Sequence, residues 1–269
     1  MLLVAAALSE ELRTGLDLCK SRTRIRAGGG HWTGEYSGRG ICFLKTGAGP
    51  SRSSKKLNMY LACQRPDKIL LIGYAGALAP ELRIGDLAIL TRSSIFGERP
   101  ADRRALEEVK VTGNYDLNGC TEFLDLARGA GLRAFCGGGL TSPCVIGDPG
   151  QKLILHRRFQ ALTIDMETAA LARVAFGAGI PFACVRAISD EADDEVLAPF
   201  SYDPDATTIG RAARVIGAGN WRERFSSWRQ NAAKARESLR CFLHYCFETW
   251  AKGDSVDSWL HSNQPPTHS

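Results

Sequence analysis

Residues 161–190, ALTIDMETAALARVAFGAGIPFACVRAISD, carry the reading of the whole chain. Ala161–Ile164 is a short apolar run, and Met166–Ala178 has helical character. Pro181–Ile188 is a second apolar run containing β-branched residues. Runs of this length, bounded by glycine or by polar residues, suit interior strands. The stretch therefore reads strand, helix, strand. It also carries acidic residues at two strand ends, Asp165 and Glu167 at the first junction and Asp190 and Glu191 after the last strand. In open α/β sheets, ligands gather at the carboxyl ends of strands.

The same alternation extends outward. Leu2–Leu8, Gly40–Lys45, Lys68–Ile72, Asp86–Thr91 and Ala134–Leu140 are further strand candidates. Ser51–Gln64 and Gly119–Ala130 have helical character. Together they predict an α/β fold, a three-layer sandwich with a central, largely parallel or mixed sheet. Thr91–Asn118 is polar and charged, and reads as an excursion that includes a long loop. A third acidic segment, Ser9-Glu10-Glu11, directly follows Leu2–Leu8. One acidic residue after a strand is usually a helix cap, whereas three such segments suggest a shared site. Thr46-Gly47-Ala48-Gly49-Pro50-Ser51 links a strand to a helix. Such glycines permit positive φ and the close approach of a ligand, and the following helix N-terminus attracts anions. By itself this G-x-G reads more readily as a tight strand-to-helix turn than as a ligand site.

Composition narrows the class. The chain has 269 residues, 44% of them hydrophobic and 23% charged, enough for one large domain or one domain with an appendage. The net charge of +5 gathers near the two ends. With no aromatic-basic repeat or zinc-finger spacing beside it, solvated helix faces explain it better than nucleic-acid binding. The nine cysteines form no C-x-x-C pair, and several lie in apolar runs. This pattern predicts buried free thiols in a reducing cytoplasm and no metal site. The opening apolar run has no basic flank and is too short to span a membrane, so it reads as a buried strand. Beyond Pro199, Arg, Ala and aromatic residues interleave, including Trp221, Trp228, Phe242, Tyr245, Phe247 and Trp250. One or two amphipathic helices packed on the main domain or on a second subunit are expected, with a break near Gly217–Asn220. The alternative is attachment to a membrane surface or an apolar ligand.

Several motifs resemble those of one family. They are Ala5-Ala-Ala-Leu-Ser-Glu-Glu11, Thr46-Gly-Ala-Gly49, Gly73-Tyr-Ala-Gly-Ala-Leu-Ala-Pro80 with Ile84-Gly-Asp86, Ile164-Asp-Met-Glu-Thr-Ala-Ala170 and Val185-Arg-Ala-Ile-Ser-Asp190. In order and approximate spacing they resemble the methylthioadenosine/S-adenosylhomocysteine nucleosidase and purine nucleoside phosphorylase superfamily, from residue 1 to about 195. The pairing of D-M-E with V-R-A-I-S-D is the most specific part.

The resemblance implies cleavage of a purine N-glycosidic bond. Such a reaction makes an oxocarbenium-like ribosyl centre and an electron-rich leaving base, which departs more readily when protonated at N7. Asp190 matches the general acid, with Ser189 beside it to orient it. Glu11 matches the residue that activates the nucleophile, with Glu10 as the alternative if the register shifts by one. Glu167 matches the carboxylate that binds the ribose hydroxyls, where its charge also stabilises a cationic sugar. Met166 matches the apolar residue beneath the ribose, and Arg186 is placed to steady Glu167 or an anion. Tyr74, Gly76 and Gly47 complete the substrate-binding set.

Two departures bear on the substrate. Tyr74 stands where methylthioadenosine nucleosidases commonly have serine. Ser142–Lys152 also lacks the aromatic residue that would stack on the base. This segment and the Arg-rich end are more similar to the hopanoid-associated phosphorylase branch, whose substrate would suit an aromatic C-terminal segment. The expected substrate is a 5′-modified adenosine, with adenine as the base because position 190 is Asp. No organic cofactor or metal is implied. Hydrolysis and phosphorolysis both stay open, with Gly47, Gly49 and Arg52 as candidates to hold phosphate.

Residues 1–200 are expected to form the catalytic domain, 201–253 a helical extension packed on it, and 254–269 a polar tail. A cytoplasmic homodimer or larger assembly is expected, since sites in this superfamily often borrow residues from a neighbouring subunit. The rivals are a non-catalytic nucleoside-binding or membrane-associated protein on the same fold, and a nucleic-acid-binding role for the Arg-rich end.

Overall fold

Every residue of the first strand is apolar because both of its faces are covered. In β1 (Leu2–Ala6), Leu2, Val4 and Ala6 face one core, while Leu3 and Ala5 face another. Alternate side chains of a strand point to opposite faces, so a strand buried on both sides reads as a continuous apolar run. The structure, a computed structural model, describes residues 1–27, 29–96, 103–196 and 221–252.

After β1 come α1 (Ser9–Leu16), the strands β2 (Lys20–Ile25), β3 (His31–Tyr36) and β4 (Arg39–Lys45), and then α2 (Pro50–Leu61). They are followed by β5 (Lys68–Ala77), β6 (Leu87–Phe96), α3 (Arg103–Glu108), β7 (Val111–Asp116), α4 (Cys120–Gly129) and β8 (Ala134–Thr141). The described chain finishes with α5 (Pro149–Phe159), β9 (Ala161–Asp165), α6 (Thr168–Gly177), β10 (Phe182–Asp190) and α7 (Trp221–Ala251).

All ten strands join one mixed sheet, in the order β10-β6-β8-β9-β5-β1-β4-β3-β2, with β7 beside β6. The strands β1–β4, β1–β5, β5–β10, β6–β8 and β8–β9 pair parallel. The remaining pairs, including β5–β9 and β6–β10, are antiparallel. Because β10 also pairs with β5, the strands β5, β9, β8, β6 and β10 close into a ring, from which β1, β4, β3 and β2 extend as an open wing. One helical layer, formed by α1, α4 and α7, covers the first face. A second layer, formed by α2 and α6, covers the other. A smaller core lies among α3, α5 and the ends of β6, β8 and β9. This is the α/β sandwich with a central mixed sheet that the sequence predicts; the closed ring is an addition.

The segment Thr91–Asn118, expected to be an excursion that includes a long loop, holds regular structure on both sides of residues 97–102, which lie outside the described residues. Within it β6 runs on to Phe96, α3 follows, and β7 pairs antiparallel with β6. The sequence hides β7 because it is largely exposed and polar. The wing strand β2, Lys-Ser-Arg-Thr-Arg-Ile, escaped notice for the same reason. The free-thiol expectation is also corrected, since Cys120 and Cys136 are joined in a disulfide. Their Cα atoms lie 6.3 Å apart because the start of α4 packs beside β8, which brings them within bridging distance. The other seven cysteines are free.

The helix α7 shows where the C-terminal aromatics go. Ala235, Leu239, Phe242 and Cys246 recur at three to four residues and form a buried stripe, with Leu243, Phe247 and Trp250 alongside. The Phe242 ring meets Phe123 at 5.8 Å, and Phe247 meets Tyr36 at 5.6 Å and Phe43 at 6.3 Å, all edge-on. Fully burying each such side chain contributes roughly 1.5–3 kcal/mol. Phe242, Phe247 and Trp250 pack on the main domain and are buried, while Tyr245 is exposed. Among the described residues no helix is long and apolar enough to cross a membrane. The suggested break at 217–220 and the tail 254–269 lie outside the described residues.

Candidate active site

Glu11 sits in the first turn of α1, where a carboxylate ordinarily caps the helix. It does so here, since its Oε2 accepts the backbone N–H of Leu8 at 2.7 Å. It is also only 3% exposed, and its Oε1 accepts the N–H of Tyr74 on β5 at 2.8 Å. One side chain thus ties the end of β1 to the end of β5. Burial raises its pKa, opposed by the charge of Arg186 and the two backbone donors.

Arg186, on β10, is completely buried and is the hub of the cluster. Its Nε lies 3.2 Å from Asp165 Oδ2 and its Nη2 3.4 Å from Glu167 Oε2. Both nitrogens also donate to the Thr168 hydroxyl, at 3.2 and 2.9 Å. Burial works against its charge, but Asp165, Glu167 and Glu11 outweigh it and hold the guanidinium protonated. Its remaining nitrogen, Nη1, has no hydrogen-bond partner among the described residues. That nitrogen points at Gly73, where a Cβ would stand 2.5 Å from it and 2.8 Å from Glu11 Oε1. Only glycine leaves room there for the guanidinium and carboxylate to approach the same point.

Glu167 ends the strand-to-helix turn before α6. Its Oε1 accepts the Gly49 N–H at 2.9 Å, so an amide of the glycine loop points at a protein carboxylate. Burial pushes its pKa up to about 7, with Arg186 pulling the other way and Asp165 adding to the rise. Asp165 holds the turn in shape. Its Oδ1 accepts the N–H groups of Glu167 at 2.9 Å and Thr168 at 3.0 Å and the Thr141 hydroxyl at 3.0 Å; Oδ2 accepts the Thr168 hydroxyl.

Asp190 ends β10, where it pairs with Gly76 on β5, two residues beyond Tyr74. Two residues of strand span roughly 7 Å, so Glu11 and Asp190 stand at neighbouring stations along one strand. A Cβ on Gly76 would lie 2.7 Å from Asp190 Oδ2. Ser189 donates its hydroxyl to Asp190 Oδ1 at 2.9 Å. The ammonium of Lys152, from α5, lies 2.6 Å from Oδ2. The Asp190 side chain is 17% exposed, while that of Lys152 is fully buried.

The ends of β1, β5, β9 and β10 therefore bring Glu11, Glu167, Arg186, Ser189, Asp190, Tyr74 and Gly76 to one side of the sheet. Met166 is half-buried in the same turn as Glu167. In the glycine loop, Gly47 takes φ +82°, and its missing Cβ leaves room for the Arg52 stem, whose Cδ would stand 2.6 Å away. Sequence reasoning left Asp165 and Lys152 without a role. Asp165 lies inside the quoted motif and escaped because it works through backbone amides. Asp148-Pro149 is a helix-start signal that could have placed Lys152 in a helix, since Asp148 caps α5 by accepting the Gln151 N–H at 2.8 Å. Nothing local in the sequence shows where its ammonium goes. Among the described residues no group of three or more His, Cys, Asp or Glu could hold a metal ion.

Solved structures share this fold. The chain is similar to a 5′-methylthioadenosine/S-adenosylhomocysteine nucleosidase from Neisseria meningitidis, in complex with methylthio-immucillin-A. The TM-score is 0.67 at 16% identity, over 92% of this chain and 98% of that one. The corresponding nucleosidase of Campylobacter jejuni gives 0.66 at 20% identity, over 92% and 98%. A Helicobacter pylori variant of the enzyme with 5′-methylthioadenosine in its active site gives 0.66 at 18%, over 94% and 98%. At these identities the likeness is one of fold. The sequence itself matches the phosphorylase superfamily over residues 2–218, most of its length. With that match laid over strand ends that gather Glu11, Glu167 and Asp190, the chain belongs to the phosphorylase superfamily and is an enzyme that cleaves a glycosidic bond.

Proposed function

We propose that this enzyme cleaves the N-glycosidic bond of a 5′-modified adenosine and releases adenine, with Asp190 as general acid, Glu11 activating the nucleophile and Glu167 binding the ribose hydroxyls. The observation that carries the reading is the juxtaposition along the end of β5. Glu11 hangs on the Tyr74 amide, Arg186 ties in Glu167, and Asp190 lies against Gly76. A base leaving one side of the ribosyl carbon and a nucleophile entering the other need groups on both sides of it. The two stations along β5 supply that separation. Glu11, buried and drawn toward its neutral form by desolvation, is suited to take a proton from water. The Arg186 Nη1, still free to donate, lies beside it.

Two observations favour water over phosphate. Within the glycine loop the Gly47 N–H goes to Ala7 O at 3.1 Å and the Gly49 N–H goes to Glu167. These amides are thereby taken from the anion cradle that phosphorolysis needs. The similar Helicobacter pylori nucleosidase variant holds 5′-methylthioadenosine in its active site, which fits a 5′-modified adenosine. The nature of that group, with an apolar hopanoid-type substituent as one candidate, is what a substrate panel decides. The assembly is proposed to be a homo-oligomer in the cytoplasm. The test is adenine release from methylthioadenosine, S-adenosylhomocysteine, adenosine, inosine and an adenosine with a bulky apolar 5′ group, each with and without phosphate. Release of adenine and free sugar in phosphate-free buffer is expected, and release that depends on phosphate would replace hydrolysis by phosphorolysis.

The role of Glu167 carries its own pH dependence. As a carboxylate it accepts both ribose hydroxyls; once protonated it loses negative charge and acceptor capacity. With its pKa pushed up to about 7, nucleoside binding strengthens as pH rises from 5.5 to 8. One unit below 7 the KM is expected to be about tenfold higher than on the alkaline plateau. Glu167→Gln should be weak and flat across that range. A wild-type KM that does not change between pH 5.5 and 8 would remove Glu167 from ribose binding.

A further inference from the structure

Lys152 is a fully buried cation that the proposed roles leave without a function. Lys152 Nζ makes three contacts, to Asp190 Oδ2 at 2.6 Å and to the carbonyl oxygens of Glu191 at 2.7 Å and Asp194 at 3.1 Å. An ammonium has three donors and no acceptor, so this set uses all of them on Asp190 and the turn after it. The other oxygen of Asp190 accepts from Ser189. Both carboxylate oxygens therefore receive hydrogen bonds from the protein, as an ionised group does. An acid that must protonate a departing base needs a proton, and in this arrangement Lys152 holds it.

A purely structural role fits the position less well. A neutral donor would satisfy two carbonyls, and a buried ion pair adds little stability over an apolar replacement of similar volume. A cation buried in α5 instead confronts the one carboxylate that the reaction has to protonate.

We infer that Lys152 is a positioning residue that supplies the proton Asp190 passes to the base. The inference rests on the function proposed above. In the step, a Lys152 Nζ–H bond breaks and an Asp190 Oδ2–H bond forms. As the C1′–N9 bond breaks and its electron pair moves into the purine, the Oδ2–H bond breaks and an N7–H bond forms. One proton has then moved from Lys152 to the base, leaving a neutral amine beside an aspartate. Glu11 takes one proton from the attacking water, and exchange with solvent returns one to Lys152.

The test compares wild type with Lys152→Gln and Lys152→Met. Adenine release is followed from pH 5 to 9 on the best substrate of the panel, and thermal melting reports the fold. Glutamine keeps a donor for the Glu191 and Asp194 carbonyls but has no acidic proton to give. The expected result for Lys152→Gln is a folded protein that melts somewhat lower than wild type, because Asp190 loses its counter-charge, with KM changed less than about threefold. Its kcat should be about 10²-fold lower at pH 8, at the lower end of what general acid catalysis contributes. The loss should shrink toward pH 5, where acid in the solvent replaces the proton that Lys152 supplies. If Lys152→Gln keeps the wild-type kcat while Lys152→Met loses it, the lysine only shapes the turn and the inference is overturned. A loss equal at every pH overturns it as well. If Lys152→Met does not fold, the Gln variant alone decides. A wild-type enzyme that releases no base from any nucleoside removes the proposed function and this inference together. A competent wild type with an unaffected Gln variant removes the inference alone.

Discussion

Asp190→Asn should lower kcat for adenine release by about 10²–10⁴-fold, the range in which a positioned general acid contributes, while the protein stays folded but melts lower than wild type, because the buried Lys152 ammonium loses its counter-charge. Asparagine has nearly the shape of aspartate. Its carbonyl can still accept from the Lys152 ammonium, which lies 2.6 Å from Asp190 Oδ2, so the turn after β10 keeps its anchor. What disappears is the path by which a proton reaches the purine. Nucleoside affinity should therefore survive, measured by titration calorimetry with the substrate the panel selects. Tight binding with turnover lost marks a chemical role. Turnover at the wild-type rate would mean that the base leaves without help from this side chain, and would direct attention to other donors near the ring.

The second large effect lies on stability. Arg186→Met should cost about 3–5 kcal/mol of unfolding free energy near neutral pH, the usual penalty for removing one partner from a buried charge network. Methionine fills much of the volume, so the loss is mainly electrostatic. Asp165, Glu167 and Glu11 all face this guanidinium, and each would be left buried without its counter-charge. The pH dependence has a defined sign. Burial already raises Glu11 and Glu167 above their unfolded values. Without Arg186 the native state holds those protons more strongly still. A carboxyl whose folded pKa is raised contributes stability that is present below its unfolded pKa and is lost as pH rises through the folded value. The variant should thus approach wild-type stability near pH 4.5 and fall progressively behind it through pH 7 and above. Denaturant titrations at several pH values would show this. A constant difference from pH 4.5 to 8 would mean that lost packing, and not unpaired charge, sets the cost.

Elements buried on both faces were legible without coordinates. Leu2–Ala6, Phe182–Asp190 and the helix between β9 and β10 announce themselves by apolar runs and by turn chemistry, because burial on two sides leaves no room for polar alternation. The exposed strands β2 and β7 were not legible. With one or both faces in water their residues need no apolar pattern. The glycine loop was legible as a turn, but the destination of its amide was not, since Gly49 donates to a residue 118 positions away. The C-terminal aromatics were visible as an amphipathic stripe, yet only packing showed that Phe242 meets Phe123 and Phe247 meets Phe43.

The sequence by itself determined the α/β class, the order of strands and helices around residues 161–190, and the identity of Glu11, Glu167, Arg186 and Asp190 as the residues to examine. Those features are local, since they depend on periodicity, on strand ends and on motifs a few residues long. Only the tertiary structure decided that β10 pairs with β5 to close a ring, that Arg186 answers three carboxylates from two distant segments, and that Lys152 confronts Asp190 across 38 residues of chain. The two charge pairings follow from the cost of burying a charge without a partner. That cost is set by what surrounds a side chain in space and leaves no trace in the residues beside it in sequence.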